Sequence, residues 1–300
     1  PVTEWLLGSG AIDLGSAPLE AVFFSRLSAS AHTRGRGHAK EEARAVLSWL
    51  AAHGRTVING RGVLELEVSK VAQHLALQAG GIEVPRTVAV LGREHLVEQA
   101  RAFGATFITK HNQGGKGLGV RRFDTIEEFS AHVASEDFEE PVDGITLLQE
   151  LLVAAEPFVT RAEFVGGEFV YAVRVDTSAG SFELCPADAC EVPQVIAGAV
   201  CDVPGTETAG APPAFSVRTE VTAEHPIVQQ LRTFLADQRI TIAGVAFMET
   251  TDGRTVVYDI NTNTTYNPAV EETAPASGPR SIARYLGGLL ETQYAAQLTA

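Results

Sequence analysis

Two strand-like segments near the carboxyl terminus, Ala243–Thr250 and Thr255–Ile260, are separated by a short turn that contains Asp252 and Gly253. Asp-Gly is the favoured sequence for a two-residue β-hairpin turn. The two segments are therefore predicted to pair as antiparallel strands. Because hairpins of this kind alternate with predicted helices along the chain, the sequence favours α+β domains over one doubly wound parallel sheet.

The predicted hairpin brings oxygen-bearing side chains together. With a two-residue turn, Ala246 lies opposite Asp259. Gly244 then lies opposite Asn261, so that Asp259 and Asn261 share one face of the sheet. A carboxylate and an amide at this spacing suit Mg²⁺, which binds a few hard oxygen ligands together with phosphate and water. Asn263 is a further candidate ligand, although Asn261 and Asn263 could instead only organise the turn that follows.

A glycine-rich loop follows the predicted strand Thr106–Lys110 and contains Gly114, Gly115, Lys116 and Gly117. Glycines let the backbone approach an anion closely and point several N–H groups at it, while lysines supply charge. The loop therefore has the composition of a phosphate cradle. It is not a Walker A loop, because Lys116 is followed by Gly117 rather than by Ser or Thr. A flexible hairpin turn is the alternative interpretation.

The remaining patterns indicate the order of elements and three candidate domains, at residues 1–65, 66–145 and 146–300. The order of predicted strands and helices in residues 1–65 indicates a small α/β domain, and the later half is dominated by strands. The apolar periodicities predict helices at Glu41–His53, Glu67–Gln78, Glu94–Phe103, Thr125–Ala134 and His225–Asp237, and further strands at Ala21–Phe24, Thr56–Asn59, Thr87–Leu91, Val120–Phe123, Thr146–Leu152, Val159–Phe164 and Phe169–Asp176.

Charge and hydropathy restrict the class of partner. The 37 acidic residues outnumber the 23 basic ones, and the net charge of −14 would repel nucleic-acid phosphates. No apolar stretch approaches the roughly 20 residues that span a bilayer, and no secretory signal is visible. We therefore expect a cytoplasmic protein that binds neither nucleic acid nor membrane; a homo-oligomer is left open.

Three cysteines are present: Cys185, Cys190 and Cys201. An odd number in a long chain favours buried or free thiols over a disulfide framework. The spacing of Cys185 and Cys190 could hold a metal or form a redox pair, but no second cysteine pair or histidine cluster accompanies it. These two residues could also line a substrate site.

Several short segments occur in a characteristic order. Asn59-Gly60, Ser69-Lys70 and the stretch from Gly81 to Thr87 precede the glycine-rich loop, and Leu148–Leu152 and Asp259-Ile-Asn261 follow it. This order and spacing resemble the ATP-grasp superfamily from about residue 59 to residue 267. Within the superfamily, the chain is most similar to the ribosomal-protein glutamate ligase and other α-L-glutamate ligase-like carboxylate-amine ligases, except in its amino-terminal part.

The resemblance implies an ATP-grasp fold, in which two α+β subdomains grip ATP, preceded by a small α/β pre-grasp domain, complete or incomplete. The glycine-rich loop would be the lid of the first subdomain, and the second would carry the adenine and metal strands. The implied cofactors are ATP and one or two Mg²⁺ ions, for which Mn²⁺ can substitute.

The resemblance also implies an activity. A substrate carboxylate would take the γ-phosphoryl group of ATP, and an amine would then displace phosphate from the acyl phosphate to give an amide or peptide bond. The partners would be small-molecule or peptide carboxylate and amine substrates. Two alternatives on the same fold are a kinase that phosphorylates a small molecule, and a catalytically impaired ATP-binding sensor or scaffold.

By resemblance, residues can be assigned to roles. For three of these residues a structural role is the alternative: Lys70 could be a helix-surface lysine, Met248 could fill the core, and Arg161 could pair with Glu163. The nucleotide would be held by Lys70, Lys110, Gly114, Gly115, Lys116, Gly117, Gln149, Glu150, Leu152, Glu156 and Met248, the metal by Asp259 and Asn261 with Asn263 as a further candidate, and the transferring phosphoryl group by Arg174 and Arg161.

One position departs from the family pattern. The family usually places a metal-bridging carboxylate where this chain has Ala246. Glu249 is three residues further on, and strand alternation directs it to the other face unless a bulge intervenes. This departure puts the two-metal arrangement, and with it full catalytic competence, in doubt.

A basic cluster lies near the amino terminus of an otherwise acidic chain. Its hydroxyls and cations could receive an anionic substrate, such as a carboxylate or a phosphate. A solvated loop is the alternative. The candidate substrate-binding residues are Arg26, Ser28, Ser30, His32 and Arg34.

Overall fold

The computed structural model describes residues 2–104, 106–115, 117, 119–178 and 213–298. Within these ranges the chain forms eleven strands in three sheets and eight α-helices. None of the helices in these ranges is long and apolar enough to cross a membrane. The predicted roles of Lys116, Cys185, Cys190 and Cys201 fall outside the described residues.

Each predicted strand is present with bounds within two residues of the prediction, whereas four elements were not predicted: β9, α2, α7 and α8. The strands are β1 (Val22–Phe24), β2 (Thr56–Ile58), β3 (Thr87–Leu91), β4 (Phe107–His111), β5 (Arg121–Phe123), β6 (Ile145–Glu150), β7 (Phe158–Val165), β8 (Glu168–Asp176), β9 (Phe215–Val217), β10 (Ile242–Glu249) and β11 (Thr255–Asn261). The helices are α1 (Ala39–Ala52), α2 (Arg61–Glu67), α3 (Lys70–Ala79), α4 (Leu96–Phe103), α5 (Ile126–Ala134), α6 (Pro226–Asp237), α7 (Pro268–Thr273) and α8 (Gly278–Leu298).

The largest sheet is antiparallel and has the strand order β11-β10-β7-β8-β9. Its side chains alternate between two faces. One face packs against α3 and α6 through fully buried side chains such as Leu77, Leu231, Phe164 and Phe247. The opposite face carries a smaller apolar cluster and the charged residues described below.

A second antiparallel sheet has the order β3-β6-β4-β5, and α4 and α5 cover one side of it. Its core contains Phe107, Phe123 and Phe129, with ring centres 4.9 to 5.9 Å apart. Because β6 pairs with both β3 and β4, the sheet boundary follows Glu150. The predicted division between residues 145 and 146 separates β6 from its partners and does not match this boundary.

The amino-terminal part contains the parallel pair β1 and β2, with α1 and α2 beside it. Helix α8 packs here as well, placing Ile282, Tyr285, Leu286 and Leu289 against Ile58 of β2 and against Val165 and Ile242 of the large sheet. The helix predicted at Glu67–Gln78 is present as α3, but it begins three residues later, at Lys70, because Glu67 is the last residue of α2. The Oγ of Ser69 accepts a hydrogen bond from the Ala72 N–H and caps the start of α3.

The predicted hairpin register is confirmed at the site, but the turn differs from the prediction. The loop has three residues between Thr250 and Arg254, and Gly253 at φ 84° takes the left-handed position. This turn shifts the pairing by one residue, so that Met248 lies opposite Val256. A β-bulge at Tyr258 then restores the predicted pairing of Ala246 with Asp259.

Asn59 joins the amino-terminal part to the end of the hairpin. This buried residue has a φ of 52°, its Nδ2 donates to the carbonyl oxygens of Ile242 (2.8 Å) and Thr262 (3.1 Å), and its Oδ1 accepts from the Thr241 N–H (3.0 Å). Unpaired buried backbone groups cost about 1 to 3 kcal/mol each, and Ala tolerates the left-handed region less well than Asn does.

We expect Asn59→Ala to lower the free energy of unfolding by about 3 kcal/mol, measured as a shift in the urea midpoint. Thr251→Ala, in the exposed hairpin loop, is the control and should change the unfolding free energy by less than about 0.5 kcal/mol. Equal effects of the two substitutions would show that the Asn59 contacts do not stabilise the fold.

Candidate active site

Two lysines from different parts of the fold face one partly buried carboxylate. Lys70, the first residue of α3, forms a hydrogen-bonded ion pair with Asp259 on β11. Burial alone would raise the pKa of Asp259, but the charge and hydrogen bond of Lys70, followed by the charges of Lys110 and Arg161, hold it below its ordinary value. Asp259 is therefore ionised at neutral pH.

Lys110 reaches the same region from β4 of the second sheet, so the site lies between the two sheets. Its Nζ lies 5.3 Å from the centre of the Tyr258 ring. Burial and the nearby charge of Lys70 lower the pKa of Lys110 to about 8, although Asp259 opposes the shift. The positive charges of Lys70 and Lys110 repel each other, so binding of an anion beside them is favoured.

The glycine-rich loop is tied to the start of α3 through Asn112. The Asn112 Oδ1 accepts hydrogen bonds from the Ser69 Oγ (3.2 Å) and the Val71 N–H (2.9 Å), and its carbonyl accepts from the Lys70 N–H. The loop therefore begins beside Lys70. Gly114, Gly115 and Gly117 follow, and Gly117 has a left-handed φ of 76°.

Arg161 on β7 lies on the same face of the large sheet as Asp259. Its Nε donates to Glu163 Oε1 (2.6 Å), and its Nη2 donates to the Thr264 Oγ1 (2.5 Å). Burial opposes ionisation, but the charge of Glu163 outweighs it and raises the pKa of Arg161, which stays cationic. The guanidinium lies over Gly244, where a Cβ atom would be 2.4 Å from its Nε.

Arg174, predicted beside the transferring phosphate, lies elsewhere. It pairs with Thr160, which alternates with Arg161, so Arg174 projects from the opposite face of the sheet to Asp259. Its guanidinium packs 4.2 Å from the centre of the Phe158 ring. The strand pattern alone could not have revealed which of the two arginines faces the site.

Glu249 is also directed away from the site, as strand alternation predicts. It forms an ion pair with the buried Arg218 (2.8 Å) on the face that carries Arg174. The bulge lies in β11 rather than β10, so it does not bring Glu249 back to the face of Asp259. Glu249 therefore cannot replace the missing carboxylate at Ala246.

Sequence reasoning missed two polar residues beside the lysines. His74, one helical turn after Lys70, is buried, and burial with the charges of Lys110 and Lys70 lowers its pKa to about 4. Its Nδ1 lies 3.4 Å from the Thr87 Oγ1, which accepts a hydrogen bond from the predicted adenine-strand residue Gln149 (3.1 Å). Among the described residues, neither the His74 Nε2 nor the Tyr258 hydroxyl has a hydrogen-bond partner. The spacing of His74 from Lys70 was the one available signal.

The linker after β6 runs beside the end of β10. The Ala155 N–H donates to the Glu249 carbonyl, and Ala154 forms a bridge with Thr250. Met248 lies on the site face and packs in the cluster that contains Tyr258. Glu150 and Leu152 thus precede a linker that runs beside the strand of Met248, whereas Glu156 is exposed at the end of the linker.

The amino-terminal basic cluster lies against the loop and the hairpin end. The Arg26 Nε donates to Asn263 Oδ1 (3.1 Å), and Ser30 is buried with its Oγ 3.5 Å from where a Cβ of Gly115 would stand. Further contacts within the cluster join Ser28 to Ser30 (3.0 Å), Arg34 to Ser30 (3.2 Å) and His32 to the Ala29 carbonyl (3.1 Å).

Glu67 fixes this cluster to the hairpin. One oxygen of its buried carboxylate accepts from the N–H and Oγ1 of Thr262 (both 2.8 Å), and the other lies 3.4 Å from the Ala29 nitrogen. Burial raises the pKa of Glu67 to about 7, against the effect of the Thr262 hydrogen bonds.

The oxygen donors on the site face are of the kind that could hold a magnesium ion. The Asn261 Nδ2 donates to Asp259 Oδ2 (3.2 Å), which places the amide beside the carboxylate. Asn263, the further candidate, is hydrogen-bonded to Arg26. In the described part of the chain, no three His, Cys, Asp or Glu residues are arranged to hold a metal. One carboxylate and one amide suit an ion that takes its other ligands from phosphate and water.

No protein-family model and no curated protein matches the sequence. Several solved structures do match the fold. D-cycloserine synthetase DcsG has a TM-score of 0.60 at 17% identity, over 94% of this chain and 87% of its own. A RimK domain ATP-grasp protein from Sphaerobacter thermophilus has a TM-score of 0.57 at 16% identity, over 92% and 85%. The ATP-grasp ligase PsnB, complexed with a variant of its minimal precursor, Mg and ADP, has a TM-score of 0.53 at 15% identity, over 89% and 77%.

Proposed function

We propose that this chain, which has the ATP-grasp fold that its sequence predicts, is an ATP-dependent carboxylate-amine ligase. A substrate carboxylate oxygen would attack the γ-phosphorus of ATP and release ADP. An amine would then attack the acyl carbon, the phosphate would leave, and the nitrogen would lose a proton to complete the amide. The observation that carries the proposal is the convergence of Lys70, Lys110 and Arg161 on the partly buried Asp259 beside a glycine-rich loop.

The charges of the site support nucleotide chemistry. Lys70 and Lys110 would hold the α- and β-phosphates, and the backbone N–H groups of Gly115 and Gly117 would cover the γ-phosphate. Lys70 is also at the amino-terminal end of α3, where the helix dipole favours an anion. Arg161 would stabilise charge that builds on the transferred phosphoryl group.

Asp259 and Asn261 would hold the magnesium ion that accompanies ATP. Bound magnesium would neutralise charge on the phosphate oxygens during phosphoryl transfer. Gln149, Glu150, Leu152 and Met248 are the residues proposed to contact the base, and Glu156 is the residue proposed to reach the ribose.

The substrate carboxylate is proposed to bind at Arg26, Ser28, Ser30 and Arg34. Support comes from the packing of Ser30 against Gly115, which puts this cluster next to the loop that would cover the γ-phosphate. Arg26 contacts Asn263, so it lies beside the segment that follows β11. A carboxylate seated between these groups would approach the phosphate from the amino-terminal side.

The test is ADP release from Mg-ATP in the presence of pooled carboxylates with amino acids, short peptides and polyamines, followed by mass spectrometry. A ligase gives amine-dependent ADP release and a product lighter by one water than its two substrates. A phosphorylated small molecule would identify a kinase, and tight ATP binding without turnover would identify a sensor. Arg122→Gln, which removes one partner of an exposed ion pair with Asp124, is the matched control for cation substitutions.

Lys110 makes nucleotide binding dependent on pH. Its pKa of about 8 in the free protein means that it loses its proton above that pH, whereas bound phosphate favours the charged form. Binding therefore takes up a proton above pH 8, and the affinity for nucleotide should fall by up to about tenfold per pH unit there.

Isothermal titration calorimetry in buffers of different ionisation enthalpy measures this proton uptake directly. In Lys110→Arg the guanidinium stays charged, so the uptake should disappear. Uptake that persists unchanged in Lys110→Arg would assign the titration to another group.

A further inference from the structure

Three neighbouring positions on the site face differ sharply in charge. Asp259 on β11 lies opposite Ala246 on β10, and Ala246 lies opposite Arg161 on β7. The row thus reads carboxylate, methyl group, guanidinium. The middle strand contributes no oxygen ligand at this point.

The guanidinium of Arg161 is built into the site. Its position over Gly244 requires the absence of a side chain there, and Glu163 and Thr264 hold two of its nitrogens. Glu163 is buried, with 2% of its surface exposed, and its two oxygens accept from Arg161 and Thr264. It is therefore committed to fixing Arg161 rather than available as a metal ligand.

Resting on the proposed function, we propose that the nucleotide-bound site holds one divalent cation, at Asp259 and Asn261, and that Arg161 supplies the fixed positive charge on the other side of Ala246. A second ion there would lack a carboxylate ligand and would lie near a permanent cation. Hard divalent ions require oxygen ligands, and like charges repel strongly in a partly buried site. In this proposal the guanidinium of Arg161, which cannot dissociate, takes the place of a second metal ion.

The experiment counts bound metal rather than turnover. The protein is saturated with a non-hydrolysable ATP analogue and Mn²⁺ at millimolar concentration, and protein-bound Mn²⁺ and analogue are measured by equilibrium dialysis with electron paramagnetic resonance of the free ion. We expect one Mn²⁺ per bound analogue in the unmodified protein. Two Mn²⁺ per analogue would overturn the inference while leaving the proposed function intact.

Substitutions at position 246 sharpen the result. Ala246→Asp supplies the missing carboxylate beside Asp259 and is expected to raise the count towards two, whereas Ala246→Ser, of similar size but uncharged, should leave it at one. A count that remains at one in folded Ala246→Asp would show that the carboxylate is not what limits the site, and would also overturn the inference.

The fixed charge itself is tested at Gly244. Gly244→Ala should displace the guanidinium and weaken binding of the analogue at least about tenfold without changing the metal count. Unchanged affinity in the folded variant would remove Arg161 from the role. Failure of the unmodified protein to bind any analogue would instead refute the proposed function together with the inference.

Discussion

The substitution Asp259→Asn is expected to lower kcat/KM by roughly 1,000-fold, the upper end of what one electrostatic group at a reacting centre contributes. Asp259 is the carboxylate that both lysines face and the one candidate metal ligand that carries charge. The amide keeps the shape of the side chain but binds magnesium weakly. Steady-state ADP release at saturating magnesium measures the loss.

The same variant separates a loss of metal binding from a loss of folding. Without the carboxylate, Lys70 and Lys110 are no longer neutralised, so metal-free nucleotide should bind at least as tightly as before, while the enhancement by magnesium disappears. Asp124→Asn, which removes an exposed carboxylate from its pair with Arg122, is the control and should leave both properties unchanged. Retained magnesium enhancement in Asp259→Asn would place the metal elsewhere.

Arg161→Gln and Arg174→Gln are expected to differ widely. Loss of Arg161 should lower kcat/KM by about 100-fold or more, because its charge faces the site with the lysines. Loss of Arg174 should lower kcat/KM by less than about fivefold, because Arg174 packs on Phe158 at the opposite face of the sheet. Steady-state ADP release at ATP concentrations well below KM measures kcat/KM for both variants.

Arg161→Gln also leaves Glu163 buried without its charged partner, and breaking such a pair destabilises a protein by about 3 to 5 kcal/mol. Rates must therefore be measured below the unfolding transition of each variant. The double variant Arg161→Gln with Glu163→Gln removes the unpaired charge and should regain stability but not activity. A larger loss in Arg174→Gln than in Arg161→Gln would put the phosphates on the other face.

The hairpin illustrates how far the sequence carries the prediction. The Asp-Gly turn predicted the pairing of Ala246 with Asp259, and that pairing is present. The turn nevertheless has three residues, and the register returns only because of the bulge at Tyr258. Bulges depend on contacts between distant segments, so the local pattern could not reveal that two deviations compensate each other.

Tertiary contacts also explain the elements that were missed. Helix α8 contains Gly287 and Gly288, which lower helix propensity by about 1 kcal/mol each. Its apolar residues at 282, 285, 286 and 289 nevertheless have helical spacing, and burial against β2 and the large sheet compensates for the glycines. That stripe was the signal that could have identified the helix.

The site residues could also be predicted where local sequence order was sufficient, but not where their orientation depends on tertiary contacts. Lys70, Lys110, Asp259 and Arg161 come together from four separate segments whose order predicts a nucleotide site. The orientation of Arg174 depends on the parity of strand pairing, which a single strand does not contain. His74 and Tyr258 were missed because a histidine on a helix and a tyrosine in a strand are common core residues.

The carboxylate of Glu67 couples two surfaces that would otherwise be independent. One of its oxygens accepts from the Ala29 N–H and the other from the Thr262 N–H. Both of these contacts are to the main chain. The main chain at Ala29 is therefore held relative to the end of β11 by contacts that do not involve the side chains at positions 26, 28 and 34. If this segment receives the substrate carboxylate as proposed, substitutions at those positions would change the substrate and leave the residues proposed to hold phosphate in place.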